Sequence, residues 1–196
     1  MEPLTQATIY LVKTLFSLYI LVILLRFLLQ VARADFYNPL SQAIVKITDP
    51  AIKPLRRIIP GLFGLDLSSL LLALLVQMVA IVAIYLLYSQ GMPNLLWVLG
   101  WAALGLFSMV LNIYFFAMII VIILSWVAPH THNPGAMLVY QLTEPVMRPA
   151  RNLIPPIGGL DLSPIFIFIA INLIEMLVVN PLASALYLPR GLIMGL

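Results

Sequence analysis

The chain reads as an all-α membrane protein: four transmembrane helices in two parallel tandem repeats, with short interfacial or re-entrant helices between the spans of each repeat. Three observations carry that reading. The mean hydropathy is +1.12 and only 9% of residues are charged, against about a quarter in a soluble domain. Four apolar runs reach the length of roughly 20 residues that a helix needs to cross a ~30 Å hydrocarbon core. Finally, thirteen of the 31 residues from Asn38 to Ser68 recur, without a gap, 95 positions later. The matches are Asn38/Asn133, Pro39/Pro134, Thr48/Thr143, Pro50/Pro145, Pro54/Pro149, Arg56/Arg151, Ile59/Ile154, Pro60/Pro155, Gly64/Gly159, Leu65/Leu160, Asp66/Asp161, Leu67/Leu162 and Ser68/Ser163. Most are Pro, Gly or polar, in a chain that is 63% hydrophobic.

The first span is expected over about Ile9–Gln30. It ends near Ala32-Arg33-Ala34, which imitates a signal-peptidase site. Cleavage is not expected there, because the run is long, its start lacks basic residues, and the third span needs a partner in the first repeat. The second, third and fourth spans are expected over about Leu67–Tyr88, Ala103–Val127 and Pro164–Tyr187. An earlier start for the third is open, since Leu95–Trp101 is also apolar. Helices are required because a lone strand leaves its backbone groups unsatisfied in lipid. The 95-residue offset maps the first span on the third and the second on the fourth, so residues 1–94 form one repeat and 95–196 the other. Two spans per repeat insert both copies in the same orientation.

Between the spans, Asn38-Pro39 and Asn133-Pro134 read as a helix cap followed by a first-turn proline. Apolar Leu40, Ala43, Ile44 and Ile47 follow at helical spacing, as in a short helix lying on an interface. Thr48-Asp49-Pro50 and Thr143-Glu144-Pro145 read as the cap and first turn of a second short helix. Pro54 and Pro149 would kink it back toward the membrane. Gly64 and Gly159 permit a turn, and Asp66 and Asp161, with Ser68 and Ser163, are expected to cap the returning spans. The prolines and glycines are therefore taken to shape the loop. Arg56 and Arg151 have three readings: orientation and anionic lipid headgroups, an ion pair with the Asp of either repeat, or contact with a solute.

The basic residues set the topology. Arg33, Lys46, Lys53, Arg56 and Arg57 lie in the first polar segment, Arg148 and Arg151 in the second, and Arg190 alone on the opposite side. Both polar segments are thus expected in the cytoplasm, with both termini outside.

Ionisable groups at membrane depth are candidate functional groups. Lys13 and Arg26, near opposite ends of the first span, could snorkel to water. Glu175, near the middle of the fourth, is expected neutral or paired with Lys13, Arg26 or an amide. Gln77 and Asn172 match across the repeat offset, as do Ser17 and Asn112, and an interior polar cluster of these would serve as packing glue or as a proton or cation site. His130 and His132 make an isolated H-x-H with neither cysteine nor nearby carboxylates to complete a metal site. There is no phosphate loop, nucleophile elbow or haem-attachment motif. No enzyme, cofactor, bound metal or nucleic-acid partner is expected. The bilayer, with anionic headgroups at the cytoplasmic face, is the expected surrounding, and a membrane-protein partner or a homo-oligomer is open. Small residues in the third span (Ala102, Ala103, Gly105) would favour close packing.

The string NPxxxxxxxxTEPxxxPxRxxIPPxGGxDxSP, from Asn133 to Pro164, resembles the signature of the YggT family of small integral membrane proteins, and the likeness covers both repeats. The first copy departs from it at Asp49, at Gly61-Leu62-Phe63 and at Ser69. The resemblance implies a small membrane protein of bacteria, cyanobacteria or chloroplasts. It also implies one of the roles associated with that family: osmotic or ion homeostasis, cell division and chromosome distribution, or assembly of a membrane cytochrome. A scaffold or assembly factor is the favoured expectation, with an ion channel or transporter in osmotic balance as the alternative.

Overall fold

Residues 3–59, 61, 64–88, 91–128, 133–153 and 161–189 are described by a computed structural model. His130, His132, Pro60, Pro155, Gly159 and Arg190 lie outside them. The elements are α1 (Pro3–Val31), α2 (Pro39–Ile58), α3 (Leu67–Leu87), α4 (Leu95–Val127), α5 (Pro134–Leu153) and α6 (Ser163–Ile174). A π-helical turn over Glu175–Val179 and α7 (Asn180–Ala185) continue α6. Four helices are long and apolar enough to cross a membrane: α1, α3, α4 and the continuous run Ser163–Ala185. Asn94, whose side chain accepts from the Leu96 amide at 2.9 Å, starts α4 at the earlier of the two expected positions. At 33 residues and ~1.5 Å per residue, α4 is longer than a ~30 Å core requires.

The polar segments differ from expectation. Each is one amphipathic 20-residue helix, α2 or α5, rather than two short ones, and Pro50, Pro54, Pro145 and Pro149 lie inside. Thr48 and Thr143 are accordingly mid-helix residues and not caps. A proline in a helix interior removes one ladder hydrogen bond and presses on the carbonyl four residues back, costing about 3 kcal/mol. Side chains bond the carbonyls just upstream: Thr48 Oγ1 donates to Ile44 O (2.8 Å) and to Val45 O (3.3 Å), and Thr143 Oγ1 to Val139 O (3.0 Å) and Tyr140 O (3.1 Å). Such back-bonding bends a helix without ending it. Burial holds the segment in place, with Thr48, Ile52, Thr143 and Met147 inside the protein.

The caps at Asn38, Asn133 and Asp66 form as expected. Asn38 Oδ1 accepts from the Leu40 amide (2.9 Å) and Asn133 Oδ1 from Gly135 (2.8 Å), with Pro39 and Pro134 as first helical residues. Asp66 caps α3 through the Ser69 amide, whereas α6 has Leu162 at its cap position without a side-chain bond, and Asp161, one residue earlier, accepts from the Ser163 amide at 3.0 Å. Gly64, at φ +78°, occupies the left-handed region in the turn before Asp66, and Gln30 Nε2 donates to its carbonyl at 3.1 Å.

The main core lies where α1, α3 and α4 meet, around Ile20, Ile23, Leu24, Ile81, Ile84 and Val98. A smaller core joins α4, α5 and the Ser163–Ala185 run through Met118, Met147, Ile167, Ile171 and Val179. The two repeats are therefore not packed alike. α1 and α3 contact each other along their lengths, whereas α4 and α6 touch sparingly and leave between them, over α5, an apolar cleft of about 540 Å³.

Candidate functional site: two carboxylate–arginine clusters

The signature acids and arginines of each repeat converge where the amphipathic helix meets the start of the returning span. In the second repeat one arginine, in the last turn of α5, serves both acids. Arg151 Nε donates to Asp161 Oδ2 at 2.9 Å, and its Nη1 to Glu144 Oε2 at 3.2 Å. Glu144 sits on the same face of α5, two turns back. All three side chains are a third or more exposed. The hydrogen bond that Arg151 donates to Asp161, with the charges of Asp161 and Glu144, holds Arg151 above its ordinary pKa, outweighing burial.

The first repeat builds the same cluster with two arginines. Arg56 makes a forked ion pair with Asp66, its Nε donating to Oδ1 at 3.4 Å and its Nη2 to Oδ2. Asp49, one methylene shorter than Glu144, is instead taken by Arg26 of α1, whose Nη1 donates to Asp49 Oδ1 at 2.8 Å and to Thr48 Oγ1 at 2.6 Å. Arg26 Nε is also 3.7 Å from Asp66 Oδ2. Lys53, one turn along α2, pairs with Asp49 at 3.0 Å. The Arg26 and Asp66 side chains are only 4% and 2% exposed, so this network has a buried centre, with Arg56 and Lys53 at its exposed edge, where its counterpart lies at the surface. Two charges taken out of water require each other and several hydrogen bonds. Arg26 meets that requirement with Val45 O as a further acceptor (3.3 Å), and Asp66 with Ser69 Oγ as a further donor (2.7 Å).

Burial works to raise the Asp66 carboxyl, but hydrogen bonds from Arg56 and Ser69 outweigh it and hold the group below its ordinary 3.8. Asp49 and Asp161 behave alike: burial raises each, Arg26 with Lys53 and Arg151 with Ser163 prevail, and both titrate below 3.8. All three acids are carboxylates at neutral pH.

The amphipathic helices are joined at their starts. Asn38 Nδ2 donates to the Pro134 carbonyl at 2.7 Å, and the Asp35 amide donates to Gln141 Oε1 at 3.0 Å. Leu40 and Gly135 occupy equivalent repeat positions and face each other. A Cβ on Gly135 would lie 3.4 Å from Leu40 Cδ1, an ordinary contact distance, and 3.3 Å from Asn133 Oδ1.

Of the three readings of Arg56 and Arg151, the ion pair within the same repeat is the one that forms. Arg26 does not snorkel; it is buried and engaged by Asp49 and Asp66, and not by Glu175. Glu175 is partly exposed at the head of the π-helical turn, and Lys13 is partly buried in α1. Asn172 does not join Gln77 in an interior cluster. Gln77 is fully buried in α3, whereas Asn172 is exposed on α6 and donates to Phe168 O of its own helix at 2.8 Å. α3 lies between α1 and α4, while α6 is peripheral, so equivalent positions meet different surroundings. Asn112 is partly buried on α4. Sequence reasoning missed Arg26 as a cluster member and Asp49 and Glu144 as its acids. One signal was there: Arg26 has Val121 at its repeat-equivalent position, and the shorter Asp49 stands where the other copy has Glu144.

The family model described as CCB3/YggT matches the chain twice, over residues 5–87 and 100–182, displaced by the same interval as the repeated signature. An uncharacterized protein of Pseudomonas aeruginosa is 53% identical over 98% of both chains. The uncharacterized protein YggT of Escherichia coli (strain K12) is 37% identical over 95% of this chain and 97% of its own. The chloroplastic YlmG homolog protein 2 of Arabidopsis thaliana is 38% identical over a shorter stretch, 32% of this chain and 24% of its own. No solved structure matches.

Proposed function

The chain belongs to the CCB3/YggT family, and on that footing we propose that it is a scaffold or assembly factor of the bacterial inner membrane. In this reading α2 and α5 together form a rigid docking surface for another membrane protein, with both termini outside and the two amphipathic helices at the cytoplasmic face. Their exposed basic residues contact anionic headgroups. No catalytic chemistry is assigned to the chain. The observation that supports this best is the locking of α2 and α5. Each is tied to its returning span by an Arg–Asp pair, and the two are tied to each other by the Asn38–Pro134 bond. Acids and arginines spent on one another hold a shape; they do not line a path for ions.

The test is extraction in native lipid followed by affinity capture and identification of whatever co-purifies. Arg56→Ala with Arg151→Ala should abolish a partner that the wild type retains, with monodispersity checked in parallel. A wild-type protein that is captured alone sinks the reading.

The channel or transporter reading has one observation in its favour: Glu175 opens a π-helical turn inside a span, a feature frequent at functional sites. It requires ion flux in purified proteoliposomes that Glu175→Gln alters. Flux no greater than that of empty liposomes removes it.

A further inference from the structure

The second repeat differs from the first in two ways that fall at the same place. Its spans are parted by the apolar cleft between α4 and α6, floored by Pro145, Val146, Pro149 and Ala150 of α5 and walled by Tyr114 and Ala170. On the neighbouring sector of α5 lies a polar recess of about 420 Å³ lined by Ala32, Glu144, Pro145, Arg148, Pro149 and Asn152. Pro145 and Pro149 belong to both. At about 100° per residue, residues 144, 148 and 152 form one stripe of the helix and 146, 150 and 153 the next, with the two prolines as the edge between them. Polar recess and apolar cleft are thus one continuous surface.

The second difference concerns charge. In the first repeat Lys53 is held by Asp49 at 3.0 Å. Its equivalent, Arg148, has Glu144 at the same spacing, but Glu144 is taken by Arg151. Among the described residues Arg148 makes no ion pair, and it is exposed at the rim of the recess. A cation without a partner therefore stands beside an apolar cleft, across a short edge that carries no backbone N–H at either proline.

We propose that this surface binds one anionic phospholipid, its phosphate on Arg148 and an acyl chain between α4 and α6. The inference deepens the headgroup contact in the function proposed above, but it does not depend on a protein partner. In the first repeat, by contrast, α1 and α3 pack together and Lys53 is paired with Asp49.

The experiment is native mass spectrometry of the detergent-solubilised full chain, titrated with phosphatidylglycerol or with phosphatidylcholine of the same chains. The wild type should retain one phosphatidylglycerol per chain in preference to phosphatidylcholine. Arg148→Glu should weaken retention about fivefold or more, and Ala170→Trp, which fills the cleft, should remove it. The matched first-repeat change Leu75→Trp should leave it unaltered. Equal retention of the two lipids, or wild-type retention by Arg148→Glu, overturns the proposal. So does a dimer of the wild type that Ala170→Trp dissolves, since the cleft would then hold a second copy. If Ala170→Trp does not fold, the exposed Arg148 variant decides alone. Loss of lipid with a partner still captured, or the reverse, separates this inference from the docking reading.

Discussion

Arg26 and Asp49 form a 2.8 Å ion pair between the first span and the amphipathic helix that follows it, and Val121 stands where the second repeat would need the same arginine. A duplicated motif has thus been served by two different donor sets. With Glu144 the longer acid reaches the signature arginine; with Asp49 it does not, and a residue from another helix fills the gap.

Arg26 should be the costliest single residue to lose. Arg26→Val leaves Asp49 without its main partner and Asp66 buried beside Arg56 alone, and breaking a buried pair in this way costs about 3–5 kcal/mol. Adding Asp49→Glu rebuilds the second repeat's geometry in the first, and should recover part of the loss. Unfolding in mixed micelles with increasing denaturing detergent measures both variants.

The equivalent arginines should not be equally important. Arg56→Ala leaves an acid that is 2% exposed with Arg26, at 3.7 Å, as its remaining cation, whereas Arg151→Ala releases acids that are 33% and 54% exposed and can hydrate. The first should cost about 1–3 kcal/mol and the second under about 1 kcal/mol. Arg56→Lys should not restore the wild-type value, because a point charge cannot reproduce the fork. Equal losses for the two alanine variants would contradict the assignment of one cluster as buried.

Acid should act through the same carboxylates. Asp49, Asp66 and Asp161 have folded pKa values depressed below 3.8. Each therefore contributes stability that is fully present above the unfolded value and is lost as pH falls through the folded one. Stability should be nearly flat from neutral pH to about 5 and decline below 3.8. In Asp66→Asn the decline should be shallower, from a lower plateau. Thermal unfolding across that range gives the slope.

Thr48 and Thr143 differ in one bond. Both hydroxyls donate within their helices, but Thr48 Oγ1 also accepts from Arg26 at 2.6 Å. Thr48→Val should cost about 1–3 kcal/mol by leaving a buried charged donor short of an acceptor, and Thr143→Val about 0.5–1.5 kcal/mol. Equal losses would mean that the Arg26 bond contributes nothing.

Sequence alone determined the local features of this protein. Run length and hydropathy specify four spans because lipid demands about 20 apolar residues in a helix. Asn-Pro and Asp-x-Ser specify where helices start, because capping depends on the few residues around an end. The repeat offset specifies the equivalences. What the tertiary structure decided is everything that depends on which surface meets which. Thr48-Asp49-Pro50 has the composition of a helix start, yet burial of Thr48 and Ile52, with bonds to the Ile44 and Val45 carbonyls, carries α2 through the proline. Arg26 sits where an isolated span would let it reach water, but two acids from α2 and the α3 cap close over it. Gln77 and Asn172 are equivalent in sequence and opposite in burial, because α3 has helices on both sides and α6 does not. Spacing along a chain records the first kind of information; the second exists only once helices separated by tens of residues are in contact.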